Sequence, residues 1–200
     1  MTDDKIQRLP IARDELDATL RATLARDEMT RIQLGEGPEA IIVADAYPRR
    51  QCGQCTFCCT AAGVNELEKL PMKRCQHLRD GGCGIYPDRP SSCAKFSCGW
   101  LIGNFDERFR PDKIGAYVAF FMTEEFGFYA VVQMMTARAK PKRIAQMIKR
   151  LLVWVPEVRV VVDDAHGTIY RHDKPPCRFI RLDREPGDYE TLIYRLLDPR

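Results

Sequence analysis

Cys52, Cys55, Cys58 and Cys59 open a run that continues through Cys75, Cys83, Cys93 and Cys98, so eight of the nine cysteines fall within residues 52–98. Thiolates separated by two residues fold readily around one centre, and sulfur donors favour zinc, copper(I) or iron–sulfur clusters over magnesium or calcium. The pattern reads as a metal site, with all eight cysteines as candidate ligands. Cys52-Gly-Gln-Cys55-Thr-Phe-Cys58 has the gap pattern of a bacterial ferredoxin, which cradles a [4Fe–4S] cluster, although the fourth cysteine and proline that follow there are missing and Cys59 stands directly after Cys58 instead. Three closely spaced thiolates cannot complete a four-thiolate site. At least one of Cys75, Cys83, Cys93 or Cys98 is therefore expected to fold back, with at least four sulfurs converging. Neighbouring side chains diverge in extended backbone, so either Cys58 or Cys59 is expected to face a second ligand set. Eight thiolates would also close two tetrahedral zinc sites, with Cys52-Gly-Gln-Cys55 as one knuckle. The crowding of three cysteines into so short a stretch favours the iron–sulfur cluster, and zinc is the alternative.

Around the cysteines, Arg89 is the candidate cofactor-binding cation. A four-thiolate cluster is anionic, and an arginine donating to sulfur would offset that charge and raise the potential. The rival reading of Arg89 is a turn arginine paired with a carboxylate. His77 lies two residues beyond Cys75, but with eight thiolates at hand it is expected to hydrogen-bond rather than ligate. Tyr86 and Phe96 are expected to pack around the site. Cys177, in Pro175-Pro-Cys-Arg, is expected to stand apart from it.

These motifs carry a resemblance. The Cys52–Cys59 run, Cys75-Gln-His77-Leu78, and Gly82-Cys83-Gly-Ile85-Tyr86-Pro-Asp-Arg89-Pro90-Ser-Ser-Cys93-Ala-Lys-Phe96-Ser-Cys98 together closely resemble the YkgJ-type C-x-x-C-x-x-C-C domain family, described as a zinc- or iron-chelating domain. The resemblance spans residues 52–98 and implies metal chelation without implying an activity. Some larger members couple the domain to flagellin lysine methylation, but no glycine-rich cofactor loop supports that activity here.

Composition narrows the function classes. A net charge of +3 is too small to signal nucleic acid. The basic run Arg138, Lys140, Lys142, Arg143, Lys149 and Arg150 has no interleaved aromatic platform, so a solvated helix face is expected and no specific nucleic-acid partner. Methionines 122, 134, 135 and 147 read as core filler, and Asp163-Asp164-Ala-His166-Gly167 as turn chemistry. No P-loop, nucleophile elbow or zinc-protease helix is present. The amino-terminal residues lack a secretory layout and no apolar run spans a bilayer, so a soluble cytoplasmic protein without a membrane partner is expected, where disulfides are disfavoured. The functional expectation is a metal-binding protein in redox or oxygen sensing, electron transfer or metal-dependent modification. The alternatives are a structural-zinc module for a protein partner, or a metalloenzyme with an open coordination position.

Two hundred residues, 45% of them hydrophobic, can bury a proper core. One compact unit over residues 1–200 is expected, with an N-terminal helix and lead-in over 1–50, the cysteine-rich metal-binding segment over 51–100, and a sheet and helix region over 111–200. Leu16, Leu20 and Leu24 predict an amphipathic helix from Ile11 to about Ile32, stopped by Gly35-Glu-Gly37-Pro38. Ile41-Ile42-Val43 predicts a strand, and residues 65–72 a short helix. Lys113–Thr123 and Phe126–Met135 predict a hairpin, Pro141–Trp154 a helix, Val158–Val162 and Thr168–Tyr170 two strands, and Asp188–Leu197 a last helix. The fold class is α+β: a small antiparallel sheet with helices beside a loop-rich, metal-stapled cysteine segment.

Overall fold

The computed structural model describes residues 18, 32–34, 40–44, 50–123, 126–163, 165–181 and 194–197. The fold is α+β. Strands β1 (Ile32–Leu34) and β2 (Ile41–Ala44) form a short antiparallel pair. The cysteine-rich segment follows with one helical turn, α1 (Cys58–Ala61), a two-rung ladder of β3 (Leu78–Arg79) and β4 (Gly82–Cys83), and a second short helix, α2 (Ser91–Lys95). A single turn, α3 (Pro111–Ile114), leads into strands β5 (Ala116–Thr123) and β6 (Gly127–Met134). Helix α4 (Pro141–Leu152) is followed by β7 (Glu157–Val162), β8 (His166–Arg171), β9 (Cys177–Arg181) and β10 (Tyr194–Leu196).

The main sheet has six strands in the order β10-β9-β8-β7-β6-β5. It is larger than expected and mixed: β6 and β7 run parallel while the other pairs are antiparallel. The parallel pair follows from α4, because a helix between two neighbouring strands is the crossover that returns the chain in the same direction. Helix α4 starts with Pro141 in its first turn and buries Ile144, Met147 and Leu151, the spacing of one helical face. That face packs on Ala116, Val118, Phe128, Ala130, Val132, Val158 and Val160, alternate residues of three neighbouring strands, with Leu34 and Ile41 joining the same core. Val161, Ile169, Cys177 and Phe179 form a smaller core on the opposite face.

That opposite face also receives the cysteine-rich segment. Tyr117, out of phase with Val118, meets Phe57 and Phe96 edge-on at 6.0 and 5.3 Å between ring centroids. Beyond the cysteines the chain runs back along the outer edge of β5, where the Gly99 amide donates to the Val118 carbonyl at 2.8 Å. This covers an edge strand whose unpaired amides would otherwise face water.

Three expectations change. The helix predicted over 65–72 shrinks to a 3-10 turn, Asn65–Leu67, because Glu68 and Met72 take left-handed conformations (φ +48° and +58°) and Lys69 turns back to bridge Val64. Within the predicted helix 188–197, residues 194–196 are instead strand β10, since pairing with β9 outweighs a weak local helical pattern. The start of the predicted strand over 113–123 is a helical turn, closed by Gly115 at φ +72°, where a Cβ would meet the Arg138 carbonyl at 2.3 Å. The helix predicted from residue 11 and its glycine-rich stop lie almost wholly outside the described residues; Ile32, at its end, is in β1. No helix among the described residues is long and apolar enough to cross a membrane.

Gly99 sets how closely the segment approaches the sheet, because a Cβ there would lie 2.4 Å from Val118 Cγ1. Replacing Gly99 with alanine is expected to lower stability by about 1–3 kcal/mol, the usual cost of overpacking a buried contact. Urea unfolding of the two proteins checks this, and equal midpoints would refute it.

Candidate metal centre

Backbone turns, two short helices and a two-rung ladder position the cysteines. Gly53, at φ +51°, allows the turn in which the Cys55 amide donates to the Cys52 carbonyl at 2.8 Å. Cys58 and Cys59 then lie on α1. Adjacent residues there point about 100° apart around the axis, rather than to opposite sides as in extended chain. The Cys75 amide donates to the Cys59 carbonyl at 2.8 Å, fixing the returning loop against α1. Cys83 pairs with Leu78 in the two-rung ladder.

Cys93 rides on α2, whose N-terminus has no cap of its own because Pro90 stands there. Glu66 supplies the missing acceptors from a distant turn. It takes hydrogen bonds from Ser91 Oγ (3.2 Å), the Ser92 amide (3.0 Å) and Ser92 Oγ (2.6 Å). Cys98 precedes the Gly99 contact with β5 and accepts the Ile102 amide on its carbonyl at 3.1 Å.

None of the nine cysteines is in a disulfide; the eight of the segment are half-buried, and Cys177 is buried in the smaller core of the sheet. The eight are electrostatic neighbours. Burial raises Cys52, with Cys59 and Cys83 adding to the rise and Arg89 opposing it. Burial pushes Cys55 up to about 11, against backbone amides at Phe57 and Asp112. Cys58 is raised because it donates its S–H to Cys59 and is buried, with Cys52 and Cys98 also near. That hydrogen bond, against burial and with help from Lys69, holds Cys59 down to about 7. Burial, then Cys59 and Cys75, raises Cys93, and burial raises Cys98 against the amides of Leu101 and Trp100.

The expected convergence of four sulfurs is not what the geometry gives: among the described residues, no three His, Cys, Asp or Glu side chains gather closely enough to hold a metal ion. Each thiol sits where its own turn or helix puts it, since a thiol is a weak donor and acceptor with little drive to seek other thiols.

Three neighbouring side chains escaped sequence reasoning. Lys69, only 7% exposed, directs Nζ at the carbonyls of Thr60 and Leu70, both at 3.2 Å, and Ala62. Desolvation lowers its pKa, while the thiols of Cys75, Cys59, Cys58 and Cys93 pull the other way. Lys69 is thus a buried ammonium beside four thiols. In sequence it belongs to a stretch that reads as a helix, so nothing marks it. Asp112, at the start of α3, is within hydrogen-bond reach of the Cys55 thiol; burial raises its pKa, but Arg110 brings it below the usual carboxylate value. Glu66, which caps α2, is likewise one of several surface acids in the sequence.

Arg89 donates to the Tyr86 carbonyl at 2.7 Å and stacks over the Tyr86 ring at 4.0 Å, and its charge still reaches Cys52. Tyr86 itself is 42% exposed, whereas Phe96 packs against Tyr117. His77 lies 3.3 Å from the Gln76 amide nitrogen. Met122 and Met134 pack on the main core and Met147 is buried within it, as filler.

No protein-family model, curated protein or solved structure matches this chain.

Glu66 yields a signed pH dependence. Ser92 holds its carboxyl down to about 2 from an ordinary 4.5, so the cap is fully present above about 4.5 and is lost as pH falls towards 2. Wild type and Glu66→Gln are expected to differ in stability at neutral pH, with the gap closing over that window. Acid unfolding curves of both proteins test this; curves that stay parallel from neutral pH down to about 2 would count against it.

Proposed function

We propose that residues 52–98 bind a thiolate-ligated metal centre, with a [4Fe–4S] cluster as the favoured occupant and zinc as the alternative, and that the protein serves redox sensing or electron transfer. The observation that carries the proposal is a set of eight half-buried thiols, none in a disulfide, within residues 52–98, four of them neighbours of the buried Lys69 ammonium. The donor set fits soft metals, which bind thiolates in preference to oxygen ligands. Thiols ligate as thiolates, and a fixed ammonium nearby favours that charged form.

The neighbour relations run through the set: Cys55 with Cys98, Cys58 with Cys52 and Cys98 and by hydrogen bond with Cys59, Cys52 with Cys59 and Cys83, and Cys93 with Cys59, Cys75 and Cys83. An iron–sulfur cluster held by four of these thiols would supply one-electron chemistry. The protein's own part would be to exclude water with Phe57 and Phe96 and to offset negative charge with Lys69 and Arg89. The resemblance to the YkgJ-type domain supports chelation by the same cysteines.

A second reading, structural zinc serving a protein-interaction module, draws on the loop-rich character of the segment, since small loop-rich units gain order from metal binding.

Anaerobic purification with elemental analysis and an absorption spectrum separates these readings. Brown protein containing iron and sulfide is expected; colourless zinc protein would support the second reading, and metal-free folded protein would overturn both. Cys55→Ser and Cys58→Ser are each expected to lose most of the metal, while Cys177→Ser keeps it. A comparable loss from Cys177→Ser would refute the assignment.

Lys69→Met removes the donor shared by three carbonyls and the local positive charge. It is expected to cost about 1–3 kcal/mol of stability and to weaken metal retention against a chelator. Unchanged stability and retention would show that Lys69 has no part in the centre.

A further inference from the structure

Where the sheet's helix α4 begins, it lies beside an open cleft of about 750 Å³ that no cysteine lines. Arg108, Lys113, Lys140, Lys142 and Arg143 line it, with Glu107 the one acid among the lining residues. An adjoining hollow of about 440 Å³ shares Arg108, Lys142 and Arg143 and adds the Phe109 ring and the Gln146 amide. The sequence alone reads Lys140, Lys142 and Arg143 as part of a solvated helix face; the cleft they line together with Arg108 and Lys113 adds to that reading.

The walls are fixed by main-chain contacts. Arg143 Nη1 donates to the Arg108 carbonyl at 2.6 Å, joining the first turn of α4 to the 3-10 turn Glu107–Phe109, and the Lys140 amide donates to the Ile114 carbonyl at 2.8 Å, joining it to α3. The nearby acids already have partners: Glu107 takes Lys113 and Arg110, both at 2.8 Å, Asp106 takes Arg108 at 2.7 Å, and Asp112 takes Arg110 at 2.6 Å. Helix α4 carries no acid of its own. Arg108 and Lys113 are thus paired with acids, while Lys140, Lys142 and Arg143 belong to none of these pairs, and like charges grouped at one helix end repel unless an anion lies near them. The positive end of α4 adds to the same field.

We propose that this cleft binds a small molecule bearing a polyphosphate group, the charged phosphates among the cations and the uncharged remainder in the hollow beside Phe109 and Gln146. The volume falls within the range of small-molecule sites, about 300–1,000 Å³. Phosphate oxygens match lysine and arginine donors, which form the stronger, charge-assisted class of hydrogen bond. A nucleic acid is disfavoured because the cleft presents a single ring, Phe109, which already packs against Phe105.

Titration calorimetry with inorganic tripolyphosphate, on the purified full-length chain with its metal content measured before and after, tests the proposal independently of the metal centre. Saturable binding is expected. Lys140→Gln combined with Lys142→Gln, both surface changes, should weaken it by about tenfold or more. Lys149→Gln, on the same helix but outside the cleft, should leave it unchanged. No heat at millimolar tripolyphosphate, equal weakening by Lys149→Gln, or tighter binding of a single-stranded RNA oligonucleotide than of tripolyphosphate would each overturn it.

Discussion

Tyr117 joins the two halves of this protein, and the cysteine layer depends on that contact because it has little core of its own. Phe57, fully buried, and Phe96 both reach Tyr117, and each lies inside the cysteine pattern: Phe57 immediately before Cys58, Phe96 between Cys93 and Cys98. The rings that seat the layer on the sheet thus belong to the segments that carry its thiols. Burying one phenylalanine is worth about 1.5–3 kcal/mol and an edge-on aromatic pair about 0.5–1.5 more. Ordering a residue costs about 1–2 kcal/mol in backbone entropy alone, so these contacts locate the layer but cannot by themselves order its loops. Polar contacts such as those of Glu66 and Lys69, and the proposed metal, are the further sources of order.

The sheet shows the same economy of charge. Glu157 and Arg159, 3% and 4% exposed, pair at 2.5 Å on β7, and Arg171 from β8 adds a second contact to Glu157 at 2.6 Å. Arg159 also lies over Phe126 and Tyr129, at 4.3 and 4.0 Å. A buried carboxylate is tolerable only when paired and hydrogen-bonded, and two guanidiniums satisfy that requirement here. In both halves, a buried charge is surrounded by specific partners rather than left to solvent.

What was legible in the sequence follows from how local its causes are. Helix α4 and the hairpin β5–β6 announce themselves through apolar spacing, since each pattern repeats several times within one element. Strand β10 does not, because its partner β9 supplies the reason for it, and a three-residue strand has too little pattern to outvote a helical one. The short helix expected over 65–72 fails because Lys69 is needed inside, where three carbonyls wait for a donor. The cysteine positions were fully legible as residues, but where each thiol lies was not, because the turns and short helices that carry them are set by glycines and by contacts from distant residues such as Glu66. The cation beside them was not, since an arginine in a proline-bounded loop looks more purposeful than a lysine among leucines. The basic cleft was half legible: its charges are in the sequence, but the wall opposite α4 comes from residues 107–113, brought there by the start of β5.

Arg50 stands just before the first cysteine, and its guanidinium donates to the carbonyls of Trp100 (2.8 Å) and Phe105 (2.5 Å), just after the last, while covering the Trp100 ring at 5.1 Å. The stretch between therefore leaves and rejoins the protein at one point. Closing a loop costs entropy that grows only with the logarithm of its length, and here a single side chain secures the closure. The neck fixes the distance between the ends of the stretch whatever its length, and the contacts of Phe57 and Phe96 with Tyr117 fix where it lies on the sheet, so the loops between these points can change length without moving the strands.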